Sequence, residues 1–172
     1  AIHPLRLMEL VPKSLFRPAY VTRVKSLDET PSAFIFYWEL DHAPDILSGS
    51  SLYIFPNEHI DSFNTGCPLE ERPFNIASTC GQNGDTSRCG IIAICPASIL
   101  ETDQWKDSFS GDRPSGYRAF KKGIMERMLR HMESSCGELR GRITSVDCST
   151  PLTLMDYTNS PFGSMYGVKH KT

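Results

Sequence analysis

Five short segments rich in aromatic and β-branched residues predict the β-strands of this chain. The densest is SAFIFYWEL at 32–40, which is apolar at nearly every position and therefore indicates a strand covered on both faces. The other four predicted strands are 51–55, 74–79, 89–95 and 141–149. The Gly- and Asn-rich turn CGQNGD, between the third and fourth of them, predicts a hairpin. We expect Pro96 to end the fourth strand, because proline cannot donate a hydrogen bond to the ladder.

Helical spacing of apolar residues appears before and after these strands. The helical spacing of Phe16, Tyr20, Val24 and Leu27 predicts a helix that begins near Pro18. Thr150 followed by Pro151 is typical of an N-cap and the first helical position, so another helix is expected there.

The longest predicted helix runs from about 115 to 135, with Gly137 as its C-terminal stop. Its apolar stripe comprises Tyr117, Phe120, Ile124, Met128 and either His131 or Met132. A surface position is expected for His131, and the basic residues between the stripe positions are interpreted as a solvated face. Together the elements predict one α+β domain over 1–172: a mixed, largely antiparallel sheet of about five strands with helices on one face.

Composition is that of an ordinary globular domain. The 172 residues are 40% hydrophobic and 22% charged, with a formal net charge of −2. Without a concentration of Lys and Arg, nucleic acid is not expected as a partner. No apolar run approaches the roughly 20 residues that would span a bilayer.

The six cysteines are predicted to be reduced and mostly buried. The first residues lack the features of a signal peptide, so a disulfide framework is not expected. Cys89 and Cys95 should share one face of their strand, too far apart along it to bridge each other. No metal site is predicted, since Cys80, Cys89 and Cys95 form no C-x-x-C pair and the histidines are scattered.

No catalytic residue is predicted. The chain has no nucleophile elbow, zinc-binding HExxH motif or phosphate-binding loop, and the glycines of GQNGDTSRCG have the wrong spacing for a dinucleotide fingerprint. Cys95 is not favoured as a nucleophile, because proline follows it and no histidine lies near it in the sequence. The chain therefore has the parts of a binding wall rather than of a self-contained enzyme.

Several motifs occur in a characteristic order: SLYIFP, PFNIAST, IIAICPAS, GRITSVDCSTPLT and GSMYGVKH. In combination they resemble the central part of the phytoene desaturase, carotenoid isomerase and retinol saturase family of FAD-dependent oxidoreductases. The resemblance covers nearly the whole chain. In that family a substrate domain is inserted between the two pieces of an FAD-binding domain.

The resemblance implies that residues 1–172 are a substrate domain excised from a larger flavoenzyme, with the FAD-binding pieces missing on both sides. FAD is expected in the full-length protein and not tightly bound to this chain, which would be inactive alone. The partners implied are the parent chain's own FAD-binding domain and an apolar isoprenoid or polyene substrate. Location in the cytoplasm, peripheral membrane contact and dimerisation through the face of loop 157–167 are further expectations.

The resemblance also implies which residues form the site. The loop 157–167 would face the flavin ring and the substrate, next to a channel wall made by strands 34–40, 51–55 and 89–95. The implied substrate contacts are Tyr37, Tyr53, Tyr157, Met165 and Tyr166. The implied cofactor contacts are Gly163, Ser164 and Gly167. A valine at position 163 would then impair turnover and leave the fold intact.

Two alternatives stay open at this point. Tyr157, Phe162 and Tyr166 could simply cap the core of the domain. The whole chain could also be a free-standing lipid-binding or protein-interaction module, which predicts a closed domain with an internal cavity. The excised domain predicts instead an open face and neighbouring termini. The choice between desaturation, saturation and isomerisation is left open by the sequence.

Overall fold

The computed structural model describes residues 2–42, 45–47, 51–56, 65–78 and 89–170. Its strands form one antiparallel sheet in the order β2-β3-β4-β1-β5. The strands are β1 Ser32–Leu40, β2 Ser51–Ile54, β3 Phe74–Ser78, β4 Cys89–Ala97 and β5 Ile143–Ser149. The helices are α1 Pro4–Leu10, α2 Pro18–Lys25, α3 Ser115–Cys136 and α4 Pro151–Thr158. The predicted α+β fold with five strands is confirmed, and every strand pair described is antiparallel.

The core lies between one face of the sheet and α3. In β1 the even-numbered residues from 34 to 40 are buried, and Phe34 packs against Phe120 of the helix with ring centroids 6.1 Å apart. Met128 and Met132 are fully buried in the same cluster. The apolar stripe therefore continues through Met132. The expected surface position of His131 is wrong, because its ring packs on Phe74 at 4.6 Å.

The helix ends predicted from the sequence are confirmed. Gly137 follows α3 with φ of 79°, a conformation that glycine adopts without steric cost. Thr150 caps α4, because its hydroxyl accepts a hydrogen bond from the Thr153 amide. The same hydroxyl lies 2.7 Å from the Tyr117 hydroxyl, which links the start of α4 to the start of α3.

Pro96 does not end β4, contrary to the prediction. The strand continues to Ala97, and Pro96 pairs with Ala33 of β1. The Pro96 carbonyl accepts a hydrogen bond from the Arg72 guanidinium at 3.1 Å. The nitrogen and carbonyl of a strand residue point to the same side, so the missing N–H faces the β3 side, where pairing with β4 stops at Ile94. No bond to β1 is lost.

The cysteines correct the prediction in one respect. Cys89 is disulfide-bonded, so the expectation that all six are reduced is wrong. Its partner sulfur, like Cys80 and the predicted hairpin turn, lies outside the described residues. Cys95, Cys136 and Cys148 are free thiols. Burial raises the pKa of the Cys95 and Cys148 thiols to about 12, which keeps them protonated at neutral pH.

The terminal segment returns to the residues just before β1. The Thr30 amide donates to the Gly167 carbonyl at 2.8 Å, and the Lys169 amide donates to the Asp28 carbonyl at 2.7 Å. An isolated bridge pairs Glu29 with Val168. This fixes the loop 159–169 at one end of the sheet. None of the helices in the described ranges is long and apolar enough to cross a membrane.

Candidate functional site

The sheet has a second face, opposite α3, that no helix of the described residues fully covers. Residues directly opposite in antiparallel strands share a face, so one row across this side reads Tyr53, Asn75, Ile94 and Ile35. The next row contains Tyr37 opposite Ile92. These positions are half-buried or exposed, in contrast to the fully buried residues on the α3 side. The sequence alternation that buries one face therefore leaves an apolar surface on the other.

The loop 159–169, called here the terminal loop, closes one end of this face and forms a groove. A cavity of about 250 Å³ lies between the loop and strands β2, β3 and β4. The described residues that line it are Tyr53, Phe55, Pro73, Phe74, Asn75, Ile94, Pro96, Met165 and Tyr166. We call this cavity the sheet groove. Among the described residues, its lining contains no ionisable acid, base or nucleophile apart from tyrosine, so the groove is suited to hold and orient an apolar molecule.

Three of the five predicted substrate residues meet in the sheet groove. Tyr53 extends from β2, while Met165 and Tyr166 extend from the terminal loop, although more than one hundred residues separate them in the sequence. Tyr53 and Tyr166 are 72% and 80% exposed, so both rings stand at the mouth with most of their surface available to a ligand.

The other two predicted substrate residues are placed elsewhere. Tyr37 lies on the open face one row beyond Ile94, outside the groove lining. Tyr157 is 79% exposed on α4 and does not line the sheet groove. It also lies outside a second groove, between α1 and α2, that is described below. A contact of either residue with a substrate stays a prediction.

The three predicted cofactor residues are held inside the domain. Gly163 is buried with φ of 63°, and a Cβ placed there would lie 2.3 Å from the Pro151 carbonyl oxygen. The Ser164 hydroxyl is within hydrogen-bond distance of the Ser160 hydroxyl and donates to Glu29.

Gly167, also at positive φ, lies beside His3 and accepts from Thr30. The structure thus gives all three residues a packing role. Their contact with a flavin stays a prediction.

Arg72 fixes the wall of the sheet groove from behind. Its guanidinium is buried and makes a two-pronged ion pair with Glu101, with distances of 2.9 and 3.0 Å. It also donates to the carbonyls of Cys67 and Pro96. Because Pro73 and Phe74 follow it directly, this network holds the start of β3 against the end of β4. No sequence pattern indicates this role, since a lone arginine before a strand usually lies at the surface.

A second groove lies between α1, α2 and the terminal loop, with a volume of about 1080 Å³. Phe162 extends into it at positive φ and is 56% exposed. The aromatic residues of the terminal loop are therefore divided between two grooves and do not form one patch. We call this second cavity the helix groove.

The sequence patterns did not single out several lining residues of the sheet groove, above all Asn75 and Ile94. The signal was the alternation in FNIAS and CGIIAIC, which assigns these two residues to the face away from the core once the register is known. The register of strands distant in sequence cannot be derived from one sequence alone.

Comparison with curated proteins finds all-trans-retinol 13,14-reductases. The human protein is 29% identical over 83 residues, which is 48% of this chain and 14% of that protein. The zebrafish protein is 22% identical over 177 aligned residues, which is 94% of this chain and 29% of that protein. No protein-family model matches the chain. The chain spans less than a third of the length of these relatives and is weakly homologous to all-trans-retinol 13,14-reductases.

Proposed function

We propose that this chain is the substrate-binding part of an FAD-dependent oxidoreductase that acts on an apolar, retinoid-like isoprenoid. The observation that carries the proposal is the sheet groove, an apolar cavity rimmed by Tyr53 and Tyr166. Its chemistry agrees with the substrate named for the similar reductases, and the similarity to the zebrafish protein extends over 94% of the chain. The groove would bind and orient the substrate and exclude water from it.

The flavin would be held by another part of the longer protein. A dinucleotide pyrophosphate is bound by a glycine-rich turn between a strand and a helix N-terminus. In the described part of the chain, α2 and α3 follow Arg17 and Pro114, and α4 is capped by Thr150. These residues do not fit an FAD site of their own. When bound, the flavin would supply the redox chemistry, and we expect the exposed Tyr166 to face it.

The placement of the two ends supports an inserted domain. The imidazole of His3 lies beside Gly167 and is 2.8 Å from Glu29, the residue that forms a bridge with Val168. Chain segments that enter and leave a domain at the same place are typical of an insertion.

The alternative is a free-standing lipid-binding or protein-interaction module. The helix groove favours it, because its volume of about 1080 Å³ is large enough for a lipid chain or a peptide. A ligand in that groove would contact α1 and α2 and leave the sheet groove empty. The two functions therefore predict different binding residues.

Ligand binding with paired variants tests the proposal. We expect all-trans-retinol to bind the 172-residue chain and to be detected by its own fluorescence. Tyr166→Asp should weaken that binding by about ten-fold, since it removes an aromatic wall and introduces a charge into an apolar groove.

Phe109→Asp is the matched control, because Phe109 is 76% exposed and lies outside both grooves. Absence of retinol binding, or equal weakening by both variants, would contradict the proposal. Weakening by Leu10→Glu instead would favour the helix groove and the alternative function.

A further inference from the structure

We propose that Asn75 selects ligands that carry a hydrogen-bond donor, so that the sheet groove prefers an apolar alcohol to an ether or hydrocarbon of the same skeleton. This inference rests on the proposed function and adds to it a specificity-determining residue. It concerns the one side-chain amide in the lining of the groove among the described residues.

The orientation of the Asn75 amide is fixed by its neighbour in β2. Its Nδ2 group donates to the Leu52 carbonyl oxygen at 3.1 Å. A carbonyl oxygen accepts hydrogen bonds and cannot donate, so the atom of Asn75 that points to the Leu52 carbonyl is the amide nitrogen. The Oδ1 oxygen is the polar atom that remains for a ligand. Within the described part of the chain, no protein donor contacts Oδ1.

The surroundings of Asn75 make its Oδ1 oxygen sensitive to whether a ligand carries a hydrogen-bond donor. Across the strands it is flanked by Tyr53 on one side and Ile94 on the other, and it is half-buried. A ligand hydroxyl would supply the missing donor to Oδ1. A ligand without a donor would displace water from Oδ1 and leave it without a partner, which costs affinity.

The other polar side-chain atoms of the groove do not distinguish a ligand with a hydrogen-bond donor from one without. Tyrosine hydroxyls both donate and accept, so Tyr53 and Tyr166 can bond an alcohol, an ether or an aldehyde equally. An amide oxygen only accepts. Among the described lining side chains, the preference for a donor therefore belongs to Asn75.

The test compares two ligands that differ in one proton donor. All-trans-retinol and all-trans-retinyl methyl ether share the polyene, and only retinol can donate to Oδ1. We expect the wild-type chain to bind retinol about five-fold more tightly than the ether. In Asn75→Leu, which removes the acceptor, the two affinities should become equal.

The methyl group of the ether adds bulk, and the variant separates this effect from hydrogen bonding. A steric penalty would persist in Asn75→Leu, whereas a hydrogen-bond preference would disappear. Ser145→Ala serves as the control, because Ser145 is exposed at the far edge strand β5 and should keep the five-fold preference. Circular dichroism of each variant checks that the sheet is retained.

The outcomes separate this inference from the proposed function. Equal binding of both ligands by the wild-type chain overturns the role of Asn75 and leaves the sheet groove as the substrate site. A preference that persists in Asn75→Leu also overturns it. Binding of neither ligand overturns the proposed function, and the selection by Asn75 falls with it.

Discussion

Gly163 lies where the terminal loop passes closest to the start of α4. With φ of 63°, and with a Cβ position 2.3 Å from the Pro151 carbonyl oxygen and 3.1 Å from Ser32 Oγ, it admits no side chain. We expect Gly163→Ala to lower the free energy of unfolding by about 3 kcal/mol, from backbone strain and overpacking. Urea denaturation measures this change.

Gly123 provides the control for that measurement. It lies inside α3, and beyond its chain neighbours and the helix backbone nothing lies within 4 Å of its Cβ position. Gly123→Ala should therefore raise the free energy of unfolding by up to about 1 kcal/mol. Unchanged stability of Gly163→Ala, combined with weaker retinol binding, would instead support the contact with flavin and substrate implied by the resemblance.

The same residue shows how far the sequence could lead. Glycine in GSMYG correctly indicates that backbone comes close to another surface. Nothing in the sequence says which surface, and the structure identifies it as Pro151 of the chain itself. This packing therefore contradicts the expectation that a valine at position 163 would leave the fold intact.

His131 makes stability depend on pH. Its Nε2 atom is buried with no hydrogen-bond partner in the described part of the chain. Burial lowers the pKa of its imidazole, with Glu70 acting in the opposite direction. Because the folded state disfavours the charged form, the stability is fully present above the unfolded pKa of about 6.5 and is lost as the pH falls below it.

A variant without the imidazole tests this dependence. Between pH 7.5 and pH 5.5, a range that spans the reference histidine pKa of about 6.5, the melting temperature of the wild-type chain should fall more than that of His131→Leu. The leucine keeps an apolar contact with Phe74 but cannot be protonated. Parallel curves for the two proteins would show that protonation of His131 does not affect stability.

At the scale of elements, the join between β3 and β4 depends on Arg72. Its side chain is 5% exposed. Its removal would leave the half-buried Glu101 carboxylate without its cationic partner and the Pro96 carbonyl without the guanidinium donor. We expect Arg72→Met to lower the free energy of unfolding by about 3 to 5 kcal/mol, as for other broken buried ion pairs. Urea denaturation is again the measurement.

A second arginine–glutamate pair supplies a matched control. Arg127 contacts Glu70 at 2.6 and 2.7 Å with the same two-pronged geometry, but their side chains are 40% and 44% exposed. Although Arg127 lowers the pKa of Glu70 to about 2, solvent screening should limit the cost of Arg127→Met to less than about 1 kcal/mol. Equal losses from the two variants would rule out burial as the deciding factor.

The elements themselves were largely predictable, and the failures have a common cause. Local signals such as the cap at Thr150 and the glycine after α3 lie within a few residues of what they determine, so the sequence identified them. The continuation of β4 through Pro96 depends on which side β3 occupies, and the sheet groove depends on the register of β2, β3 and β4. Both are contacts between distant segments, which local patterns do not encode.

At the scale of the whole molecule, two grooves with different properties open at the surface of the described residues. The sheet groove is small and contains a polar acceptor, as expected for a small-molecule site. The helix groove is four times larger by volume, at about 1080 against 250 Å³, and is bordered by Leu10 and Phe162. The sequence predicts dimerisation through the face of loop 157–167. Phe162 of that loop borders the helix groove together with the exposed Leu10, so we expect self-association to use this groove.

Self-association of the 172-residue chain should then depend on the helix groove. We expect sedimentation velocity to show reversible dimers whose proportion rises with protein concentration, and Leu10→Glu to abolish them by placing a charge in the apolar contact. Leu10 is 72% exposed, and Leu100, at 77%, offers the same substitution outside both grooves. Leu100→Glu should dimerise like the wild type. A chain that stays monomeric throughout, or dimers that survive Leu10→Glu, would show that the helix groove is not a self-association surface. Retinol binding by Leu10→Glu should be unchanged, because association through the helices and ligand binding on the sheet use separate surfaces.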